Sequence, residues 1–588
     1  MTKSNLFKIV LAFLFLVVIK SAFCQNNEGI KFIEATIKGT PGFFRVGQTT
    51  QGQWWFLDHE NKTFYYRGVC AVNRAGTAGG RRATPGPYAV TIDNKYGYQQ
   101  NPEPFVNACV DKLQHLGFNA LGAWATEEFY NKGIPFTEIL EFFKEGPFLP
   151  LVNNKSIPDI FSVEWQLAID RKARALCSPL RSSKELVGYF TDNEIGFGKA
   201  DDSGLDLGFQ AGQFDFALLR QVLGMEKGNR TSESAWNFLL SRYGGSFDKL
   251  SEAWEVNVSS NDDLLKLNES KTAIPGKAYN ADAQEFVKYY AEHYFELANK
   301  AIRRYDPNHL ILGCRFGAPP PTYILDAIKP WTDVISANNY QPILYERYDT
   351  VYNYTGLPLL IGEFSWNTDL YKKVPFPNED AGTSNQKERM FRRGTATLVR
   401  MAKHPGIVGY TWYRWVQGTC TDQKFYDGIV NYGDSLEMHA VQLAKLNPEM
   451  EKIRMESASG NWKNQALLNG EMTLFFDQLR PKWEHFLRIT FRDGKPEKEL
   501  YGWSMKGEVL NYSNKKDDLS FKITLDFQSI SGVNNPMEAA RGIYEFKLKR
   551  AGEKYYGNFN GKYNGKSVSG SVKAFYFQET YTPKIADN

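Results

Sequence analysis

Apolar residues follow two different rhythms along this chain of 588 residues, and the change comes near residue 455. From about residue 65, short apolar runs alternate with segments in which apolar residues recur every three or four positions. Phe105 to Leu116 is one such segment, with Val106, Cys109, Val110 and Leu113 on a single helical face. Gly117 closes it, and Phe118 to Trp124 reads as a strand. The same logic predicts helices over 163–177, 281–304, 387–403 and 435–454, and strands over 186–190, 309–314, 334–338, 357–362 and 407–413. Such repeats imply parallel strands joined by right-handed crossovers. Roughly eight of them over residues 65–454 predict an α/β fold, a (β/α)8 TIM barrel. Residues 199–280 form an insertion rich in helical segments, one of them over 232–243.

The flanks read differently. Residues 25–64 are a β lead-in, with Gly52 to Asp58 and Thr63 to Val69 alternating about a polar turn as a hairpin does. Beyond residue 455 short alternating runs, among them 472–476, 486–491, 519–527, 542–548, 555–559 and 568–577, are separated by Gly, Asn and Lys turns. They predict a C-terminal all-β domain over 455–588, a sandwich or a barrel. Its two candidate roles are packing against the first domain and binding carbohydrate.

Residues 1–24 carry the parts of a signal peptide: Lys3 and Lys8, the apolar stretch Ile9 to Ile19, and Ala22-Phe23-Cys24 before Gln25. The apolar stretch is short for a membrane span, so a secreted or periplasmic protein is expected, with lipid attachment at Cys24 as the alternative. The formal charge of +4 includes three leader lysines, which leaves about +1 on the mature chain. That is too little to drive nucleic-acid binding through phosphate contacts. The five remaining cysteines are widely spaced and none of the seven histidines pair at HxxxH spacing, so no metal site or cofactor is expected. The aromatic content of 15% mostly serves core and surface packing, and an excess beyond that need would suit stacking on sugar rings.

The candidate chemistry sits at two strand ends. Leu186 to Phe190 runs into Thr191-Asp192-Asn193-Glu194, and Leu357 to Gly362 runs into Glu363-Phe364-Ser365-Trp366. A single glutamate at a strand end is ordinarily a structural ion pair. Two of them at the C-terminal ends of parallel strands, where barrel active sites lie, make a carboxylate pair able to cleave a glycosidic bond: one protonates the leaving oxygen, the other attacks the anomeric carbon, at a separation of roughly 5–5.5 Å.

These residues resemble glycoside hydrolase clan A, whose barrels carry an acid/base glutamate, usually after Asn, behind strand 4 and a nucleophilic glutamate behind strand 7. The matches are Asn193-Glu194 and Ile361-Gly362-Glu363. Within the clan, Trp54 to Asp58, Phe64 to Val69, Glu363-Phe364, His404 to Gly409 and Asp427 to Val430 resemble the family 50 β-agarases over roughly residues 50–450. Residues 235–265 resemble part of the family 42 β-galactosidases. Asp192 and Thr411 to Trp415 differ from the agarase pattern. The resemblance implies Glu194 as acid/base, Glu363 as nucleophile, Asn193 on a sugar hydroxyl, Tyr340 on the nucleophile and Trp412 as the floor of the sugar site. Arg67, Asn73 and Trp124, after the first two strands, and Trp366 are candidates for lining it. Arg315 is a candidate for contacting a sulfate or hydroxyl or for a rim ion pair; Arg74 is a weaker lining candidate, and Arg81-Arg82 a weaker candidate for reading an anionic polysaccharide.

The expected function is a retaining glycoside hydrolase acting on an agarose-type galactan or its oligosaccharides. The alternatives are the same mechanism on a β-galactoside, carrageenan-derived sugars, β-mannan or β-glucan, a non-catalytic carbohydrate-binding protein on the same barrel, and a surface adhesion protein using the β domain. A polysaccharide or oligosaccharide is the expected partner, and the adhesion reading predicts that residues 455–588 alone bind glycan.

Overall fold

The computed structural model describes residues 30–578, apart from 151–156, 203–215, 368–383, 419–424, 459–469, 477–484, 528–540 and shorter stretches of one to three residues. The leader and Cys24 lie outside the described residues.

Three strands open the fold. β1 (Arg45–Gln48), β2 (Trp54–Leu57) and β3 (Thr63–Phe64) form an antiparallel sheet, with β2 and β3 as the hairpin that the sequence predicts. β4 (Tyr66–Val69) begins an eight-stranded sheet with β5 (Ala120–Leu121), β6 (Phe136–Ile139), β7 (Leu186–Phe190), β8 (Leu310–Ile311), β9 (Ile335–Ala337) and β10 (Leu359–Phe364). After the short β11 (Trp366–Asn367), the sheet is completed by β12 (Ile407–Trp412); β11 instead pairs antiparallel with β13 (Phe425–Tyr426). The order is β8-β7-β6-β5-β4-β12-β10-β9, every neighbour parallel.

The outer strands of this curled sheet also meet. The Asp333 N–H donates to Ile311 O at 2.8 Å, the Phe316 N–H to Ser336 O at 3.1 Å, and the Asn338 N–H to Phe316 O at 2.7 Å. The layout is TIM-like.

Alternate strand positions feed two cores. Tyr66, Ala120, Val187, Leu310, Leu360 and Val408 point inward, with Phe44, Trp54 and Phe56 of the opening strands packed against them. Leu121, Tyr189, Ile311, Ile361 and Tyr410 face the surrounding helices and meet Val106, Trp165, Val287 and Leu398. Arg454, near the end of the helix Met438–Ala458, is fully buried and ties this outer layer to the opening strands. Its guanidinium donates to Ala402 O at 3.0 Å, to His404 O at 2.9 Å and to Trp54 O.

Some strands are shorter than their apolar runs. Within 118–124 only Ala120 and Leu121 pair, and Trp124 turns into the left-handed region with φ 65°. Within 309–314 the ladder stops at Ile311, and Gly313 has φ 73°. β6 escapes the sequence pattern because it has only four residues and one of them, Glu138, is a buried acid.

The insertion is helical where described: Leu218–Leu223, Arg230–Arg242, Phe247–Trp254 and Asn261–Glu269 precede the long helix Lys277–Tyr305. Asn229, Ser246 and Ser260 cap three of these, each side chain accepting a backbone N–H from three residues ahead.

A second, antiparallel sheet follows. It comprises β14 (Gly470–Phe476), β15 (His485–Arg492), β16 (Lys495–Pro496), β17 (Glu499–Gly502), β18 (Met505–Lys515), β19 (Asp518–Phe527), β20 (Arg541–Ala551), β21 (Lys554–Tyr563) and β22 (Lys566–Gln578). β14 pairs with both β15 and β22, placing Gly470 opposite Gln578, so the ladder returns on itself around Leu474, Ile489, Ile523, Phe546 and Phe559. β18 is missing from the sequence pattern because a register shift between Val509 and Asn511 leaves Leu510 exposed and interrupts its alternation. Lys554 of β21 reaches Asp349, on the helix Leu344–Thr355, at 2.6 Å.

Candidate active site

Glu363 lies within β10, near its C-terminal end. Ile361 and Phe364 both belong to the outer, helix-facing core, and a register shift against β12 falls between them. The shift breaks the period of two and re-aims the intervening residues. Gly362 faces inward so tightly that a Cβ there would lie 2.7 Å from Asn338 Oδ1 and 2.8 Å from Ser336 Oγ. Only glycine lets the backbone approach β9 this closely.

The Glu363 carboxylate is held from two sides. Arg315 Nη2 lies 2.8 Å from Oε1, and the Tyr340 phenol donates to Oε2 at 2.6 Å. Arg315 is fixed in turn, donating from Nη2 to Gly362 O at 2.7 Å and lying 3.2 Å from Cys70 Sγ, with its guanidinium 4.6 Å from the centre of the Trp124 ring.

Glu194 follows β7. A bridge pairs Asn193 with Arg315, and the Glu194 N–H donates to Arg315 O at 2.8 Å. Glu194 itself sits in the left-handed region at φ 52°, a conformation costing a non-glycine residue about 1 kcal/mol or more and concentrated at functional sites. Its Oε1 accepts from the Asn338 amide at 2.7 Å, and Gly317 packs against its carboxyl. Asn338 therefore reaches Glu194, while the N–H of the next residue, Asn339, donates to Glu363 O at 2.7 Å. The end of β9 touches both acids.

Burial pushes both carboxyls upward. For Glu194 the negative charge of Glu363 adds to that push, against the Asn338 amide and Arg315. For Glu363 burial is opposed by Arg315 and by the Tyr340 hydroxyl. Glu363 has a cation and a phenol on its oxygens that favour its charged form, and Glu194 one neutral amide.

The structure sorts the other predicted residues. Trp124 and Arg315 join the two glutamates, and Asn193 lies beside them, half-buried. Asn73 is behind the site: its amide donates to Trp124 O at 2.8 Å and Thr77 O at 3.0 Å, fixing the left-handed turn. Arg67 points elsewhere, to Gly117 O at 3.0 Å and Glu451 at 2.9 Å. Arg74 is paired with Asp93 and Arg82 with Glu141.

Trp412 does not face the site. It occupies an outward position of β12 and is 0% exposed. Its indole N–H donates to Asp427 O at 2.9 Å, and its ring meets Phe364, Trp366 and His439. Trp366 is buried in the same cluster. The next residue, Tyr413, takes the inward position that the sequence reading gave to Trp412. Its ring lies edge-on to Tyr340 at 6.5 Å and to Trp124 at 6.3 Å. Arg414, half-buried beside it, is 3.4 Å from Asp427.

Asn338, Tyr413 and Arg414 are absent from the predicted set. Asn338 and Tyr413 each stand one residue past a parallel strand and Arg414 two, a position that does not by itself mark a site residue. Beyond Glu194, Gly196, Phe197, Phe316, Pro321 and Tyr323 line a cavity of about 20 Å³, room for a water molecule rather than a sugar ring. Among the described residues there is no cluster of His, Cys, Asp and Glu suited to a metal ion.

The TIM-like parallel sheet thus brings the buried Glu363 and the half-buried Glu194 to its C-terminal end. The chain is related to β-agarases. Over 374 residues it is 23% identical to β-agarase B of Vibrio sp. (strain JT0107), a stretch covering 61% of this chain and 38% of that protein. Over 344 residues it is 24% identical to β-agarase A of the same strain, covering 55% and 33%. The chain thus spans less than half the length of these curated relatives. Among solved structures an exo-β-agarase superposes with a TM-score of 0.57 at 20% identity, covering 71% of this chain and 66% of that one. No family model matches the chain.

Proposed function

We propose that this protein is a retaining glycoside hydrolase that cleaves β-glycosidic bonds in an agarose-type galactan or its oligosaccharides. The observation that carries the reading is the unequal support of the two acids: Arg315 and Tyr340 on Glu363, a single amide on Glu194. Relationship to the β-agarases supports the substrate class.

In the first step a Glu363 oxygen attacks the anomeric carbon while Glu194 transfers its proton to the leaving glycosidic oxygen. The product is a glycosyl ester on Glu363 and a free hydroxyl on the departing sugar. In the second step Glu194, now ionised, takes a proton from water. That water attacks the same carbon, releasing Glu363 with overall retention. Asn193 is assigned to the hydroxyl next to the reacting carbon, and Tyr413 takes the place at the sugar face that Trp412 cannot fill. The bonds between β9 and the segment after β8 support a closed (β/α)8 barrel for residues 65–454. Residues 455–588 form a separate β domain, and residues 1–24 a signal peptide directing secretion.

The test is hydrolysis across agarose, porphyran and carrageenan oligosaccharides, β-mannan, β-glucan and aryl β-galactoside, with Glu194→Gln and Glu363→Gln beside the wild type. Agarose-type product with retained anomeric configuration, lost in both variants, is the expected result. Turnover surviving Glu363→Gln sinks the nucleophile assignment. Binding of a glycan without hydrolysis of any moves the protein to the non-catalytic class.

A further inference from the structure

The charge of the antiparallel sheet is unevenly placed. Residues 470–540 hold ten Lys or Arg and eleven Asp or Glu, whereas residues 541–578, the strands β20 to β22, hold eight Lys or Arg and two Glu, a net +6. Along these strands Tyr544, Phe546, Leu548, Tyr555, Phe559 and Val572 point inward. The alternate positions form rows across the outer face. In one row Lys549, Tyr556 and Lys573 are direct cross-strand partners; in the next, Lys547, Asn558 and Ser571. Tyr556 is 50% exposed, and Lys547, Lys549, Asn558 and Ser571 are exposed beside it. With strands about 4.8 Å apart, the row places Lys549 and the half-buried Lys573 on the strands that flank Tyr556. Two acids border the rows at the edge: Glu545 lies 3.5 Å from Lys522, and Asp518 is the cross-strand partner of Lys549.

We propose that this outer face of β20–β22 is a docking surface for a sulfated polysaccharide, with Tyr556 stacking on a sugar ring, the lysines pairing with ring-borne sulfates, and Asn558 and Ser571 bonding hydroxyls. The composition separates this partner from a membrane surface. A membrane surface would call for an apolar face beside the cations, and these rows offer one aromatic ring flanked by amide and hydroxyl groups. Sulfates and hydroxyls carried on one chain match a row with two lysines about Tyr556 next to a row of Lys547, Asn558 and Ser571. The surface is separate from the glutamate pair, so it acts whether or not those acids hydrolyse the bound glycan.

The experiment uses the full chain carrying Glu363→Gln, so that hydrolysis does not consume the ligand, and measures binding to ι-carrageenan, to neutral agarose, to phosphatidylglycerol vesicles and to duplex DNA. Melting temperature serves as the folding control. The sulfated galactan is expected to bind more tightly than the other three and to weaken as salt is raised. Lys547→Ser/Lys549→Ser/Lys573→Ser should weaken it about tenfold at unchanged melting temperature, and Tyr556→Ala about fivefold. Equal binding of agarose, or unchanged affinity in both variants, overturns the proposal. Vesicles or DNA held as tightly as the glycan also overturn it, in favour of a lipid or nucleic-acid partner.

Discussion

Arg315 and Glu363 form an ion pair of 2.8 Å in which neither side chain is open to solvent, 0% and 6% of their surfaces remaining exposed. A buried cation of this kind is held in place by bonds that do not depend on substrate, here to Gly362 O and Cys70 Sγ. Its charge therefore favours the ionised form of Glu363 in the free protein.

Removing that charge should move the acid limb of activity. Arg315 opposes the rise that burial imposes on Glu363, so Arg315→Met raises the carboxyl further, and a nucleophile that must be ionised is already protonated at higher pH. The acid limb of kcat/KM is expected to shift upward by about one pH unit. Arg315→Lys, which keeps the charge, should leave the limb nearly in place. A pH–rate profile of the two variants decides it.

Asn338 should control the opposite limb. Its amide favours the ionised form of Glu194. With Asn338→Ala the proton is held to higher pH, and the basic limb moves upward by about half a unit. An unmoved basic limb would mean that Glu194 is not the group titrating there.

Tyr340→Phe removes a hydrogen bond to a charged oxygen at 2.6 Å. Bonds of that type contribute about 1.5–3 kcal/mol, so kcat should fall roughly 10- to 100-fold. The melting temperature should stay close to wild type. A fall in stability with unchanged kcat would make Tyr340 a packing residue.

Asp434 carries a prediction about stability. Its buried carboxylate accepts from Tyr88 OH at 3.0 Å, Tyr96 OH at 2.7 Å and Lys95 at 2.7 Å, and lies 2.7 Å from Lys112. Burial works against it, but these partners hold its pKa below the ordinary 3.8. A depressed carboxylate stabilises the fold above its unfolded pKa and loses that contribution as pH falls through the folded value. Thermal unfolding should therefore show this loss only below about pH 3.8. Asp434→Asn is expected to cost about 3 kcal/mol at neutral pH, because the lysine charges lose their buried partner.

The sequence made the parallel sheet legible because its strands end in acids or turns and its helices keep a strict three- and four-residue spacing. Glu194, Glu363, Tyr340 and Arg315 were readable for the same reason: each follows, or closes, an apolar run. Trp412 was misplaced because an aromatic on a strand carries no label for the face it occupies. Register irregularities in β10 decide which positions of 361–364 turn inward. Asn338 was missed because an amide two residues from Tyr340 has no signature apart from the carboxyl it meets across the sheet, 144 residues away in sequence.

The closure of the antiparallel sheet has a further consequence. Since Gly470 faces Gln578 across β14 and β22, the strands by which the chain enters and leaves this unit stand side by side. A segment whose two ends coincide in space is a cassette: spliced into a surface loop of an unrelated carrier, it would bring its own closed ladder and strain neither junction. With both ends of β14–β22 at one point, the module can be transplanted whole, and its lysine-rich face would travel with it.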